Sequence, residues 1–533
     1  MKSLLLASAT ALVLALPLPS ALAATPNDQL VIGLSMSNVL TLDPAATTGR
    51  EGMAVVNNVY DTLIRLDAVE RTTVHPALAE SWQISEDGSQ ITFQLREGAT
   101  FASGNPVTVE DVLWSFRRVL SLELSGAGPW AVAGYTVDNF DELVTAQGNT
   151  ITVQLAQPGD PQLLLYMFGK PSNTAIIDSR TALENEVDGD LAAAWLTTNS
   201  AGSGPYVVRS WNANDTIILD RFDGHWGGEA PMRRVLIRHM PESQTKRLML
   251  ERGDLDVGLG LSVPDISALS TNPDVVVQST PSSGFYYLGV NMKDERFANR
   301  DVRLALRHLI DYQGINTTIM PNYGVLHQRP LSPGVVGSLP DPGYELDVEK
   351  AKEHLAAAGY PDGFTVELLS LNEPPFLDAA TSIQGTLAQA GIRANIVTGT
   401  GNQVYGPMRE RTFQMIVRRG GGGAEPHPHS NLQALAINID NSDEAEHLAG
   451  GIVWRTAWQS EELNEMAAAA LLERDPQAQQ KMYEDIQLLY EEVVPALQPF
   501  SAVVDTVVFR ADIEGYQNHY GWTTRFDGVS KDR

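Results

Sequence analysis

The sequence predicts a protein of mixed class, α/β or α+β, and three observations lead there. Strands that alternate apolar and polar residues are interleaved with helices that present one apolar face, along the whole chain. The 533 residues, 43% hydrophobic and 19% charged, hold apolar material for two or three lobes. Neither tandem repeats nor low-complexity tracts break the interleaving.

Taken in order, the first segment is a leader. Lys2 gives a positive start, residues 4–16 are an uncharged apolar run, and Ala21, Leu22 and Ala23 form a small-residue cleavage site, so 1–23 reads as a signal peptide. The competing reading is a membrane anchor, but the run is shorter than the ~20 residues that a bilayer requires. Residues 30–34 form a first strand, followed by a loop at 35–40. Residues 91–95 alternate strictly after the turn Asp87-Gly88, and Ile151, Val153 and Leu155 repeat the pattern. Pro281, Ser282, Ser283 and Gly284 punctuate the chain before a strand at 285–290. Val302, Leu306 and Leu309 mark a helix, on which Arg303 is expected to make an intramolecular salt bridge. Asp347 caps another helix, which should stop at Gly359 where a left-handed residue is wanted. Asp475-Pro476 opens a third, with Met482, Ile486, Leu489, Tyr490 and Val493 on one face. Residues 495–499, bounded by prolines, precede a last alternating strand at 503–509. A chain that leaves one lobe near 281 and returns near 497 crosses twice, which makes a hinge.

Charge and cysteine content narrow the function classes. Lys plus Arg total 37 against 65 for Asp plus Glu, a net charge of −28, which repels nucleic acid and anionic lipid surfaces. The absence of cysteine rules out disulfides, thiolate metal sites, a cysteine nucleophile and a lipid anchor on an N-terminal cysteine. An exported protein of a Gram-negative periplasm is the expectation, with no direct membrane insertion, and a monomer is expected.

Several motifs then carry a resemblance. LAESW at 78–82, FQLREG at 93–98, Phe101, GNPVT at 104–108 and Asp111-Val112 resemble the signature of the dipeptide-, oligopeptide- and nickel-binding family 5 of ABC-transporter solute-binding proteins. LDP at 42–44, GPY at 204–206, Asn291 with VRLAL at 302–306, Asp311, and the helix at 347–359 follow in that family's order. The resemblance implies a two-lobed periplasmic-binding-protein clamshell of the cluster C, type II-like kind, with an extra inserted domain. It places lobe 1 at 24–65, 190–280 and 497–533, the inserted domain at 66–189 and lobe 2 at 281–496. It implies capture of a peptide-like solute between the lobes, recognition of the closed form by a membrane permease, and no cofactor. A nickel or other metal chelate, an opine or a sugar conjugate remain alternative ligands. Trp82 and Phe101 read as core aromatics, and Arg303 and the motif glycines as scaffold.

Ligand identity should be set at 413–429, where an alternating strand ends in a loop. Peptide-binding relatives carry an amine-pairing aspartate about four residues before the proline matched by Pro428; that place falls here on Ala424, and the aromatic expected earlier falls at Gly421. Simple free-amine peptides should therefore bind weakly unless Glu425 substitutes. Arg418 and Arg419 are either grips for a ligand carboxylate or solvated charges, and strand alternation argues against both facing the cleft. Gly421 and Gly422, in a run of four glycines, either leave space for ligand or form a mobile loop. His429 is expected to face ligand and His427 to point away, with affinity falling as pH drops through ~6.5. A metal shared by the two histidines ranks second, because the ligand set is incomplete. Position in the family fold adds Asn38 and Val39 from the first loop and Trp130 from the inserted domain, the last equally readable as a core residue. An enzyme is not expected. A secreted metallohydrolase would use His427, His429 and Glu425, but neither the H-E-x-x-H spacing nor a serine elbow or phosphate loop is present.

Overall fold

Strand Gln29–Leu34 is almost wholly buried because layers cover both of its faces, and it pairs in parallel with Arg234–His239 and Val257–Leu259. The computed structural model describes residues 25–532 apart from 38, 48, 373, 400, 422–424 and 446–450, so the expected leader lies outside the described residues. Among them an eleven-stranded sheet runs through the molecule. Its path is Arg393–Gly399, Thr365–Leu371, Met415–Gly420, Val275–Val290, Leu497–Arg510, Val257–Leu259, Gln29–Leu34, Arg234–His239, Thr216–Arg221 and Tyr206–Asn212, with Gly324–Leu326 added beside Leu497–Arg510. A second, four-stranded antiparallel sheet orders Ala79–Ile84, Gln90–Leu95, Thr150–Gln154 and Val144–Gln147.

Four apolar cores divide the described residues, the smallest holding Val31, Leu250, Leu255 and Val508, and three of them frame the site. One gathers Leu30, Ile32, Val235, Ile237, Val507 and Phe509; a second gathers side chains from Phe285 to Val503; a third, on the four-stranded sheet, holds Phe93, Phe116, Trp130 and Phe168. Ile177, Ala182 and Leu196 pack into the first core and not into the third. The first and third are clamped together by Arg118, which donates to both carboxylate oxygens of the buried Asp43 at 3.0 and 2.6 Å. That bidentate pair gives LDP at 42–44 its structural reason.

The two crossings are antiparallel neighbours. Val275–Val290 and Leu497–Arg510 pair from Val275↔Arg510 to Gly289↔Leu497, with a register shift between Pro281 and Phe285. The punctuation at 281–284, expected to precede a strand, is thus a bulge inside one, and Pro499 sits within the return strand opposite Tyr287. Residues 503–509 are buried at every position but Thr506, because the return strand is central and covered on both sides; the alternating burial expected there is replaced by near-continuous burial.

Helices follow their local signals more closely. Asp475 accepts from the Ala478 N–H at 2.8 Å and caps Pro476–Val493. Asp347 accepts from the Lys350 N–H at 2.9 Å and caps Val348–Ala357, with Gly359 beyond it at φ +89°. Arg303 differs from expectation. On Arg300–Arg307 it is buried and donates to the carbonyls of Phe297, Ala298 and Val494 at 2.7, 2.9 and 2.5 Å, so it is a carbonyl clamp and not half of a salt bridge.

Candidate functional site in the cleft between the lobes

Where the two crossing strands bulge, three bodies meet around a cavity of about 260 Å³. Ser282, Ser283 and Gly284 form its floor, Arg419, Gly420 and Gly421 one wall, Tyr520, Gly521 and Trp522 another, and Lys170 of the inserted domain reaches in from a third. Strand Met415–Gly420 pairs antiparallel with Val275–Val290, which sets Arg418 opposite Tyr287 and Arg419 opposite Tyr286. Alternation then separates the two arginines. Arg419 is exposed toward the cavity and interacts with the Tyr286 phenol. Arg418 turns the other way, its guanidinium 4.4 Å from the Tyr405 ring centre and Nη1 2.8 Å from the Met408 sulfur. Gly421 has φ +76°, and a Cβ there would lie 2.8 Å from the Leu435 side chain, so the chain turns here only as glycine.

A second cavity of about 350 Å³ lies in the seam between the inserted domain and the second lobe. Its wall is mostly apolar, with Val132, Leu155, Leu163, Leu164 and Leu471 among its lining residues, and Glu425 with Ser430 at its polar edge. The Ser430 hydroxyl donates to Glu425 Oε2 at 2.9 Å. Glu425 also acts electrostatically on Lys170, which borders the first cavity. Burial pushes the Lys170 ammonium down from its usual range, and Glu425 opposes that.

His427 and His429 sit at the start of helix Pro428–Leu435. The His429 N–H donates to His427 Nδ1 at 3.2 Å, which leaves His427 Nε2 protonated and donating to Asp160 of the inserted domain at 3.3 Å. Gln479 Nε2 donates to the same carboxylate oxygen at 2.7 Å. Burial alone would raise the Asp160 carboxyl, but these two bonds, the electrostatic pull of His427 and the Gln162 N–H together hold the group below the usual carboxylate range. With both ring nitrogens engaged, His427 would have to leave Asp160 to bind a metal. Among the described residues no group of three or more His, Asp or Glu side chains is arranged to hold one. His429 is 6% exposed, and burial, with His427 beside it, pushes its imidazole down to about 3. The affinity change expected near pH 6.5 therefore has no titrating group at His429.

Other expectations also change. Trp130 is 0% exposed, donates from Nε1 to the Asn173 carbonyl at 2.9 Å, and packs among Phe116, Tyr135, Phe140 and Phe168, so it is the core residue of the two readings. Val39 is 6% exposed in the first core, and its N–H donates to Met36. Asn38, Gly422 and Ala424 lie outside the described residues. Sequence reasoning missed Lys170, whose only local signal is its place after Gly169 and before Pro171 in an otherwise apolar stretch.

Comparison with known proteins places this geometry. Residues 73–443 match the model for bacterial extracellular solute-binding proteins, family 5 Middle. The chain is 33% identical over 389 residues, 72% of each chain, to the probable D,D-dipeptide-binding periplasmic protein DdpA of Escherichia coli strain K12. It is 25% identical over 499 residues to heme-binding protein A of Haemophilus influenzae, covering 89% of this chain and 87% of that one. Among solved structures, the periplasmic binding protein DppA from Helicobacter pylori in complex with the peptide STSA superposes with a TM-score of 0.77 at 25% identity, over 95% of this chain and 98% of that one. The fold is the two-lobed binding-protein fold with its extra domain, and no helix among the described residues is long and apolar enough to cross a membrane. With the family model spanning most of the chain and the relatives matching over 72% to 95% of it, the protein belongs to the family 5 bacterial extracellular solute-binding proteins.

Proposed function

We propose that the protein is the capture component of an ABC import system: exported to a Gram-negative periplasm after removal of residues 1–23, it closes around a peptide-like solute and presents the closed form to a membrane permease. The observation that carries this is the cavity at the bulge of the two crossing strands, where the lobes and the inserted domain all contribute walls. The family and the peptide complex of a relative support a peptide-like ligand. Within that reading the lobes divide at the crossings near 281 and 497, and the inserted domain ends near 176, because Ile177 onward packs with the first core. The role is binding without a chemical step.

Capture needs the two lobes to move about their shared strands. Arg419 and Gly421 line the cavity at the bulge, and Glu425 lines the edge of the seam cavity and acts on Lys170 of the first. In this reading Glu425 receives a ligand amine in place of the absent aspartate, and Arg419 a ligand acid.

The test pairs X-ray scattering with thermal unfolding across a peptide and peptide-conjugate set. A ligand at 100 times its Kd stabilises by about 2.7 kcal/mol, and the same ligand should reduce the radius of gyration. Ligands that raise the melting point without compaction would overturn closure, and a set in which none raises it would overturn peptide-like capture.

A further inference from the structure

The cleft is unlike the rest of this acidic chain. Lys170 and Arg419 both line its cavity, and among the described residues neither has a carboxylate within ion-pair distance. Arg71 stands close by, its guanidinium 4.6 Å from the Tyr520 ring centre; Nη2 donates to the Pro281 carbonyl, and Nη1 is buried without a partner. The carboxylates in the neighbourhood are largely committed elsewhere. Asp67 is bonded by His75 at 2.9 Å, and Asp505 by the Trp522 indole at 2.7 Å with Arg50 3.9 Å away. Glu425 acts on Lys170 through space but takes its hydrogen bond from Ser430.

We propose that Lys170 reads the acidic group of the captured solute, a carboxylate or phosphate oxyanion held between its ammonium and the Arg419 guanidinium, so that the ligand's charge joins the inserted domain to the second lobe. The proposal rests on the capture reading and narrows its ligand class to acidic solutes. An oxyanion between Lys170 and Arg419 would meet two cations that line one cavity and have no carboxylate within ion-pair distance among the described residues. A guanidinium offers paired N–H donors and an ammonium a compact charge, so together they fit an oxyanion approached from two sides. The adjoining apolar cavity, with Glu425 at its edge, takes the uncharged remainder of the molecule.

The experiment measures Kd by calorimetry for two matched pairs: N-acetyl-leucyl-leucine against its C-terminal amide, and N-acetyl-leucyl-phosphoserine amide against N-acetyl-leucyl-serine amide. Acetylation removes the amine, so Glu425 drops out of the comparison. Wild-type protein should prefer the charged member of at least one pair by about tenfold or more, and which pair shows it separates carboxylate from phosphate. Lys170→Met keeps the aliphatic stem and should bring that ratio close to one, while Lys170→Arg should retain most of it. Unliganded melting points of both variants establish folding, and Arg419→Gln serves as a second removal of charge. If charged and neutral members bind wild type alike, or if the preference survives Lys170→Met, the inference fails while capture stands. If none of the four binds wild type, the inference fails, and peptide-like capture is judged separately by the scattering and unfolding test with free-amine peptides.

Discussion

At His429 the imidazole has lost nearly all contact with water, and burial together with the neighbouring His427 pushes its pKa down to about 3; His519, buried behind Tyr520, is pushed down to about 4. Both lie below the unfolded value of about 6.5, so the unfolded chain takes up protons that the folded one refuses. Stability is therefore complete above about pH 6.5 and falls as pH drops toward those folded values, by about 1.4 kcal/mol per pH unit for each group. Urea unfolding at pH 7 and pH 5 should show a loss of about 2 kcal/mol per histidine, and His429→Gln should remove one share of it. An unchanged midpoint across that interval would contradict the burial argument. That this stretch lines cavities was partly readable, since a strand running into a glycine loop announces a rim, but alternation says only that adjacent arginines face opposite ways and not that Arg419 is the one at the cavity. Lys170 was not readable: nothing local distinguishes a lysine aimed into a cleft from one at a surface turn, and its environment comes from residues more than a hundred positions away.

The element that ties the inserted domain to the second lobe is helix Pro161–Met167, through its cap. Asp160 accepts from the Gln162 N–H with one oxygen, while the other takes His427 and Gln479. Asp160→Ala should cost about 1 kcal/mol from the lost cap, measurable in thermal unfolding, and should also free the seam. Solute affinity should then fall further than in a variant that loses a cap elsewhere, such as Asp347→Ala; equal effects would reduce Asp160 to a cap alone. Helix ends of this kind are legible because the cap and its partner lie within three residues, as at Asp475 and Asp347. The long strand Val275–Val290 was not, because Pro281 to Gly284 carry loop chemistry, and only pairing with a strand more than two hundred residues away keeps them extended. The carbonyl-clamping Arg303 escaped for the same reason, its acceptor Val494 being distant in sequence.

For the whole molecule, the number of bodies follows from length and apolar content, and the double crossing from two proline-marked points, but the seam where the inserted domain meets the second lobe has no sequence mark. The same topology has a constructive consequence. Because Val275–Val290 and Leu497–Arg510 are side by side, with Phe285 paired to Ala502, the chain enters and leaves the second core at one place. That half of the protein is in effect a plug-in cassette whose ends already touch. Residues 285–503 expressed alone should fold cooperatively, with protected amide exchange in Met415–Gly420, and a short Gly-Ser turn joining Thr280 to Val504 should leave a soluble remainder. A fragment that unfolds without a cooperative transition would show that the two halves depend on each other for more than the strands they share.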